Sequence, residues 1–285
     1  MIQSRYSLRS FVCALATAAV LIPTTDAGRA TKPRGPDGAV ELASHTQFVK
    51  PSKAELIRAA QRDPSVLSDT GERIYETQID DYTATFIKQE RIDGKLGKPE
   101  EIEVRFRDFP HSVYMIWKKN ADQARRALYV DSPEFKDSKG RKLAKVEPNG
   151  AIARLFVSEV EIEIHGKRSR EASRRSIDEF GFYSTLTLLR DINSMAKQRG
   201  VLDYRYDGED EVDGRPTFRM VRYLPYQGEK GDFPDAKLVL HLDQEWLMPI
   251  GLYSYADHEG KTLLGSYVFH DLRVNVGLSE ADFKF

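Results

Sequence analysis

Cysteine is nearly absent: Cys13 is the only one among 285 residues. It sits inside an apolar run, Phe11 to Ile22, that follows Arg5 and Arg9 and precedes Thr25-Asp26-Ala27. This layout reads as a secretory signal cleaved near Ala27. The run is shorter than the roughly 20 residues a membrane-spanning helix needs. A mature chain without cysteine excludes disulfides and thiol catalysis. No second apolar run is long enough to span a membrane, so the mature product is expected in the periplasm or outside the cell. An excess of charge of either sign is also missing. With 43 basic and 44 acidic residues, the chain lacks the basic surplus that nucleic-acid binding requires.

Catalytic signatures are missing too. There is no His-Glu-x-x-His, Gly-x-Ser-x-Gly or phosphate-binding loop. The six histidines, His45, His111, His165, His241, His258 and His270, fall in different segments with no pair four residues apart. Asp207, Glu209, Asp210 and Asp213 beside Gly208 and Gly214 depart from calcium-loop spacing and read as a solvated hairpin end. No cofactor or metal is expected, and an enzyme is not.

What is present is alternation. After the signal, residues 28–51 are rich in Gly and Pro and read as a flexible leader. Ser52-Lys53-Ala54-Glu55 is a capping box that starts a helix at Lys53. Asp63-Pro64 interrupts that helix and begins another. From Tyr82 the period becomes two, with strands expected at 82–92, 100–107, 112–118, 126–131, 142–147 and 156–164. A second capping box, Ser176 to Glu179, precedes Phe182, Leu186, Leu189 and Ile192 at helical spacing, and Gly200 ends that helix. Strands follow near 201–209, 215–223, 237–243, 248–256 and 262–274. Asp213-Gly214 is a two-residue hairpin signal. The expected fold is α+β: one domain over 53–285, a strongly curved antiparallel meander forming an open half-barrel, with helices over the concave side.

The hairpin 86–107 raises a question of register. On its second strand Ile102, Val104 and Phe106 alternate with charges. On its first, the parity of Tyr82, Ala84 and Phe86 runs into Lys88 and Glu90. Unpaired charge is costly in a core, which favours a register with Lys88 opposite Glu103 and Ile87 opposite Val104. Lys88 and Glu90 then belong to a solvated outer wall. Ile87, Val104 and Phe106, continued by Met115 and Trp117 across the next turn, form the expected ligand-binding apolar face. Lys167, Arg168, Arg170, Arg174 and Arg175 form the one basic cluster. It is a candidate patch for anionic headgroups, each cation adding about 1 kcal/mol near such a surface, or else a solvated loop.

Several separated blocks resemble a bacterial family of secreted proteins of unknown function, DUF1571. They are Asp81-Tyr82-Thr83, Phe86, Lys88, Glu90-Arg91 and Asp93-Gly94-Lys95-Leu96-Gly97, then Val113-Tyr114-Met115 with Trp117, and Leu128-Tyr129-Val130. The ending fits as well, through Asp271-Leu272, Asn275, Gly277-Leu278 and Asp282-Phe283. That family is similar to the periplasmic lipoprotein carrier LolA and its receptor LolB. The kinship implies a half-barrel whose concave apolar face receives acyl chains. The expected function is therefore non-enzymatic binding of a lipid, acyl chain or lipoprotein, with an anionic membrane surface as a possible further partner. The alternative is a structural or interaction module of the envelope with a filled core.

Overall fold

A computed structural model describes residues 48–150, 158–228 and 230–285. The expected signal and most of the expected leader lie outside the described residues. Of the leader's last residues, Phe48 packs against the core, and the Lys50 ammonium donates to the Gln244 and Glu245 carbonyls.

Helix α1, Lys53–Ala60, starts at Ser52 as expected, with both halves of the capping box formed. Helix α2 spans Ser65–Gln78, and the Asp63 carboxylate accepts the Ser65 N–H at its start. Eleven strands then form one continuous antiparallel path. They are β1 (Asp81–Ile92), β3 (Glu100–Arg107), β4 (Ser112–Lys119), β5 (Ala124–Val130), β6 (Leu143–Pro148) and β7 (Val160–Glu163), followed by β8 (Asp203–Val212), β9 (Arg215–Tyr223), β10 (Lys237–Asp243), β11 (Pro249–Tyr255) and β12 (Leu263–Val274). The two-residue β2 (Lys95–Leu96) pairs with β1 alone. The sheet order is β7-β6-β5-β4-β3-β1-β12-β11-β10-β9-β8. The path does not close on itself, and the architecture is an open half-barrel.

Strand β1 therefore lies mid-sheet and joins two meanders. Between β7 and β8 the chain supplies helix α3 (Lys167–Ala172), a 3-10 turn at Ile177–Glu179 and helix α4 (Phe182–Gln198). The Ser176 capping box closes that 3-10 turn rather than a long helix, because Gly181 interrupts with φ 133°. A side chain at Gly181 would meet the Phe106 ring at 2.8 Å, so α4 enters the half-barrel directly over Phe106. Its buried Phe182, Leu186, Leu189, Asn193 and Ala196 follow the helical period. Phe182, Leu186 and Leu189, with Leu67, Ile74 and Tyr75 of α2, share one core cluster with Phe218, Met220, Leu240 and Ile250, while Ala196 packs with Leu224 and Phe233. Tyr82 stacks between Phe106 and Phe182, with centroids at 4.7 and 4.5 Å.

The register of β1 and β3 corrects the sequence-based expectation. Lys88 lies opposite Glu100, not Glu103, and Phe86, Ala84 and Tyr82 lie opposite Ile102, Val104 and Phe106. The turn explains the difference. Strand β2 pairs Ile92 with Lys95 and Arg91 with Leu96. Continued unbroken, that register would set Ile87 opposite Glu100. The Gly97-Lys98-Pro99 segment takes up one residue, and a shift of one inverts the faces. Tyr82, Ala84 and Phe86 are buried as a result, and Lys88 and Glu90 turn inward with them.

The C-terminal segment is fastened to the start of β1. The buried Asp81 carboxylate accepts the N–H groups of Val276 at 2.7 Å, Gly277 at 3.1 Å and Leu278 at 2.9 Å. Beyond this latch, Phe283 lies under the Arg107 guanidinium at 4.8 Å and Phe285 under that of Arg126 at 4.9 Å. Replacing Asp81 with Ala leaves these amides unpaired. It is expected to cost at least about 1.5–3 kcal/mol, the worth of one hydrogen bond to a charged group, with Asp81→Asn milder. Chemical denaturation gives the magnitude, and hydrogen exchange should accelerate first at residues 276–278.

Candidate functional site

The two meanders are covered differently. Helices α2 and α4 fill the concave face over β8–β12. Helix α4 also reaches over Val104 and Phe106 of β3, and beyond them, as far as β7, the described cover is α3 and the segment through Gly181. Its inward residues include Ser169, Ala172, Ser173 and Ser176, and the facing wall carries Ala124, Ala127 and Ala144. Small residues on both surfaces leave a cavity of 490 Å³, within the range of about 300–1,000 Å³ usual for ligand pockets. Its wall is mainly apolar, with Met115, Trp117, Val146, Val160, Ile162 and Ile164 on the sheet and Ile177 and Phe180 on the roof.

One end of this space carries buried charge. The Lys88 ammonium lies 3.4 Å from Glu90 and 3.4 Å from Glu100. The Trp117 indole N–H donates to Glu100 at 2.7 Å. Glu90 also accepts from the Tyr267 hydroxyl at 2.7 Å, from Ser173 Oγ at 3.1 Å and from the Arg174 backbone N–H at 3.3 Å. Burial first, then the Glu90 carboxylate beside it, holds the Tyr267 phenol well above its ordinary pKa. The contact depends on Gly265, which lies opposite Glu90. A Cβ there would come within 2.8 Å of the Tyr267 hydroxyl. Glu90 thus ties the roof, through Ser173 and Arg174, to the floor.

The placement of Lys88 and Glu90 is the second correction. They line the cavity instead of standing on a wet outer wall. They are tolerated inside because each carboxylate has a cation and neutral donors within reach. Replacing Lys88 with Met leaves two carboxylates facing each other without a cation. A loss of about 3–5 kcal/mol is expected, read by chemical denaturation, and Lys88→Arg should recover most of it.

The expected apolar face divides three ways. Met115 and Trp117 line the cavity. Val104 and Phe106 are buried in the packed core and do not reach it. Ile87 faces outward, opposite Glu101 and Val268, a correction that follows directly from the register. The basic cluster divides too. Arg168 and Arg175 line the cavity. The Arg174 guanidinium donates to the Pro234 carbonyl, Arg170 donates to the His165 carbonyl, and Lys167 pairs with Glu171 along α3 at 3.6 Å. Tyr267, Glu100 and the small-residue roof were missed in the sequence. The one signal that could have found Glu100 was its place at the start of a strand of strict alternation.

A further polar group lies where Phe106 meets His111, at a centroid separation of 5.2 Å. The Asp178 carboxylate accepts from Lys142 at 3.0 Å and lies 3.2 Å from His165 Nε2. Burial acts to raise the Asp178 carboxyl, but hydrogen bonds from Ser176 and Lys142 prevail and hold it below the usual carboxylate range. Burial lowers the His111 imidazole, with Asp108, Asp178 and Asp131 opposing and Lys142 reinforcing. A His whose folded pKa is depressed contributes stability that is present above its unfolded pKa of about 6.5. That contribution is lost as pH falls through the folded value. His111→Phe should flatten the fall of unfolding free energy between pH 7 and 5, by at most about 1.4 kcal/mol per pH unit, as measured by denaturation across pH. Among the described residues, no group of three or more His, Cys, Asp or Glu side chains is placed to hold a metal. None of their helices is long and apolar enough to cross a membrane.

An open antiparallel half-barrel, half filled by helices and half roofed over an apolar cavity, is the class this geometry defines. The family model described as "Protein of unknown function (DUF1571)" matches residues 79–285, and the chain belongs to that family. No curated protein matches the sequence. Among solved structures, MucB is similar at 18% identity over 80% of this chain and 63% of its own, with a TM-score of 0.45. The Pseudomonas aeruginosa MucA/MucB complex is similar at 18% identity over 77% of this chain and 61% of that chain, TM-score 0.43. The Mycobacterium tuberculosis lipoprotein LppX is similar at 13% identity over 76% of this chain and 98% of its own, TM-score 0.38. The chain spans less than two thirds of the MucB chains it matches.

Proposed function

We propose that this is a non-enzymatic protein of the cell envelope that holds a hydrophobic ligand, a lipid or an acyl chain free or on a lipoprotein, in the cavity under α3. The observation that carries this reading is the 490 Å³ space with a mainly apolar wall. Apolar surface left in contact with water forgoes about 25 cal/mol per Å², which an apolar ligand recovers on entry. The filled half under α2 and α4 favours a second reading, a structural or interaction module. Val104 and Phe106 belong to that filled half, so Val104→Glu reports on folding and not on a pocket.

The deciding variant is Ala127→Trp, which places a large ring on the cavity wall, away from Val104 and Phe106. The uncharged probe N-phenyl-1-naphthylamine should bind the native protein saturably. Its affinity for Ala127→Trp should fall by about tenfold or more, the loss of about 1.4 kcal/mol or more of apolar contact. Circular dichroism should show the fold retained. Native protein that never saturates with the probe counts against the ligand reading and favours the module.

A further inference from the structure

The charges around the cavity are not evenly placed. On the sheet side the lining carries three carboxylates, Glu90, Glu100 and Asp122, against one ammonium, Lys88. Lys88 is held between Glu90 and Glu100, and Glu90 is taken up by Tyr267, Ser173 and the Arg174 N–H. On the roof side the lining carries two guanidinium groups, Arg168 and Arg175, against Glu179. Arg168 has no partner among the described residues. Among the described residues Arg175 makes one ion pair, with Glu179 at 3.9 Å between half-exposed side chains, a separation that contributes little. The free hydrogen-bonding capacity of the lining cations is therefore on the roof, and the surplus of negative charge is on the floor.

We infer, resting on the ligand-binding reading above, that the cavity takes an amphiphile with an anionic head, held by Arg168 and Arg175 while its chain lies over the aliphatic wall of β5–β7. The arrangement sets polarity as well as affinity. An anion placed at the Lys88 end meets two carboxylates in a poorly solvated space, where like charges repel strongly. At the roof it meets two planar donors suited to bidentate contact with a carboxylate or phosphate. The chain then runs from the roof toward Val146, Val160 and Ile162, away from the charged end. A neutral amphiphile of the same chain gains the apolar contacts but not the arginine contacts.

Binding of the fluorescent fatty acid cis-parinaric acid and of its methyl ester, to the full chain, tests this. The native protein is expected to prefer the acid. Arg168→Ala with Arg175→Ala should weaken binding of the acid by about tenfold or more, the worth of at least one charge-assisted hydrogen bond, and leave the ester unchanged. Arg168→Lys with Arg175→Lys should restore part of the preference. Competition by oleate and by oleoyl lysophosphatidate then tells whether a carboxylate or a phosphate head fits better. Inorganic phosphate and acetate, which lack the chain, should not compete. Saturable binding of both probes with no difference between native and double-alanine protein overturns the inference and leaves the cavity reading standing. Binding of neither probe overturns both.

Discussion

The pairing of Lys88 with Glu90 and Glu100 inside the half-barrel is the interaction that permits the inward face of β1. That strand offers two inconsistent faces. One carries Tyr82, Ala84 and Phe86 but continues into Lys88 and Glu90; the other carries Thr83, Thr85 and Ile87. Turning the first face inward buries two aromatic side chains, worth about 1.5–3 kcal/mol each. It also takes three charges out of water, which costs several kcal/mol per ion unless they are paired. The cost is offset because Lys88 is shared between both carboxylates and the Tyr267, Ser173 and Trp117 donors complete their shells. Since β1 is bonded to both β3 and β12, its choice of face is imposed on both meanders.

The same choice separates the filled half from the hollow one. The aromatic end of β1 meets Phe106, Phe182 and Phe269 under the long helix α4, where the core is tight. The charged end meets α3, a helix of six residues with Ser and Ala facing in. A short helix with small side chains covers the sheet without filling the space beneath it. The roof has few apolar anchors of its own beyond Ile177 and Phe180. Its attachment to the floor through Glu90 is polar, so it lacks the apolar interlock that fixes α4, and low-energy opening belongs to such regions.

Much of the fold was legible in the sequence because alternation is a local signal. The strands and α1, α2 and α4 fall close to their expected places, and both capping boxes form. What failed was the step from strands to pairs. In the sequence Lys88 and Glu90 look like unpaired charges, but their partners come from elsewhere: Glu100 on β3, Tyr267 on β12 and Ser173 on the roof. No local pattern reveals a neutralising partner at that distance in the chain. The slip at Gly97-Lys98-Pro99 is equally invisible, since a hairpin signal does not state how many residues the turn absorbs. Ile87 faces outward as the joint result of these two features. Met115 and Trp117 reached the cavity because their strand's parity is set by β3, whose face had been read correctly. The basic cluster was visible as composition, but only the path of α3 separates Arg168 and Arg175 from their tied neighbours.

Two physical groups stand out among the blocks by which the chain resembles its family. Asp81, Asn275, Gly277 and Leu278 meet one another. Asn275 donates to the Gln78 carbonyl and accepts the Asp80 N–H, while Asp81 collects the amides that follow it. Asn275 and Gly277 have φ of 57° and 79°, the left-handed region that Gly and Asn tolerate best. The bend they make turns the tail back over the outer face. This group closes the fold at one end of β1. Phe86, Lys88, Glu90, Met115 and Trp117 form the other group, and all of them line the cavity. Stability alone does not require Lys88 and Glu90, because an apolar pair of similar volume can replace a buried ion pair at little or no cost. Their presence at the edge of the hollow makes sense if that end of the cavity must stay polar. On the proposed ligand-binding reading, a charged floor beside an apolar wall would admit an amphiphile in one orientation and reject the reverse.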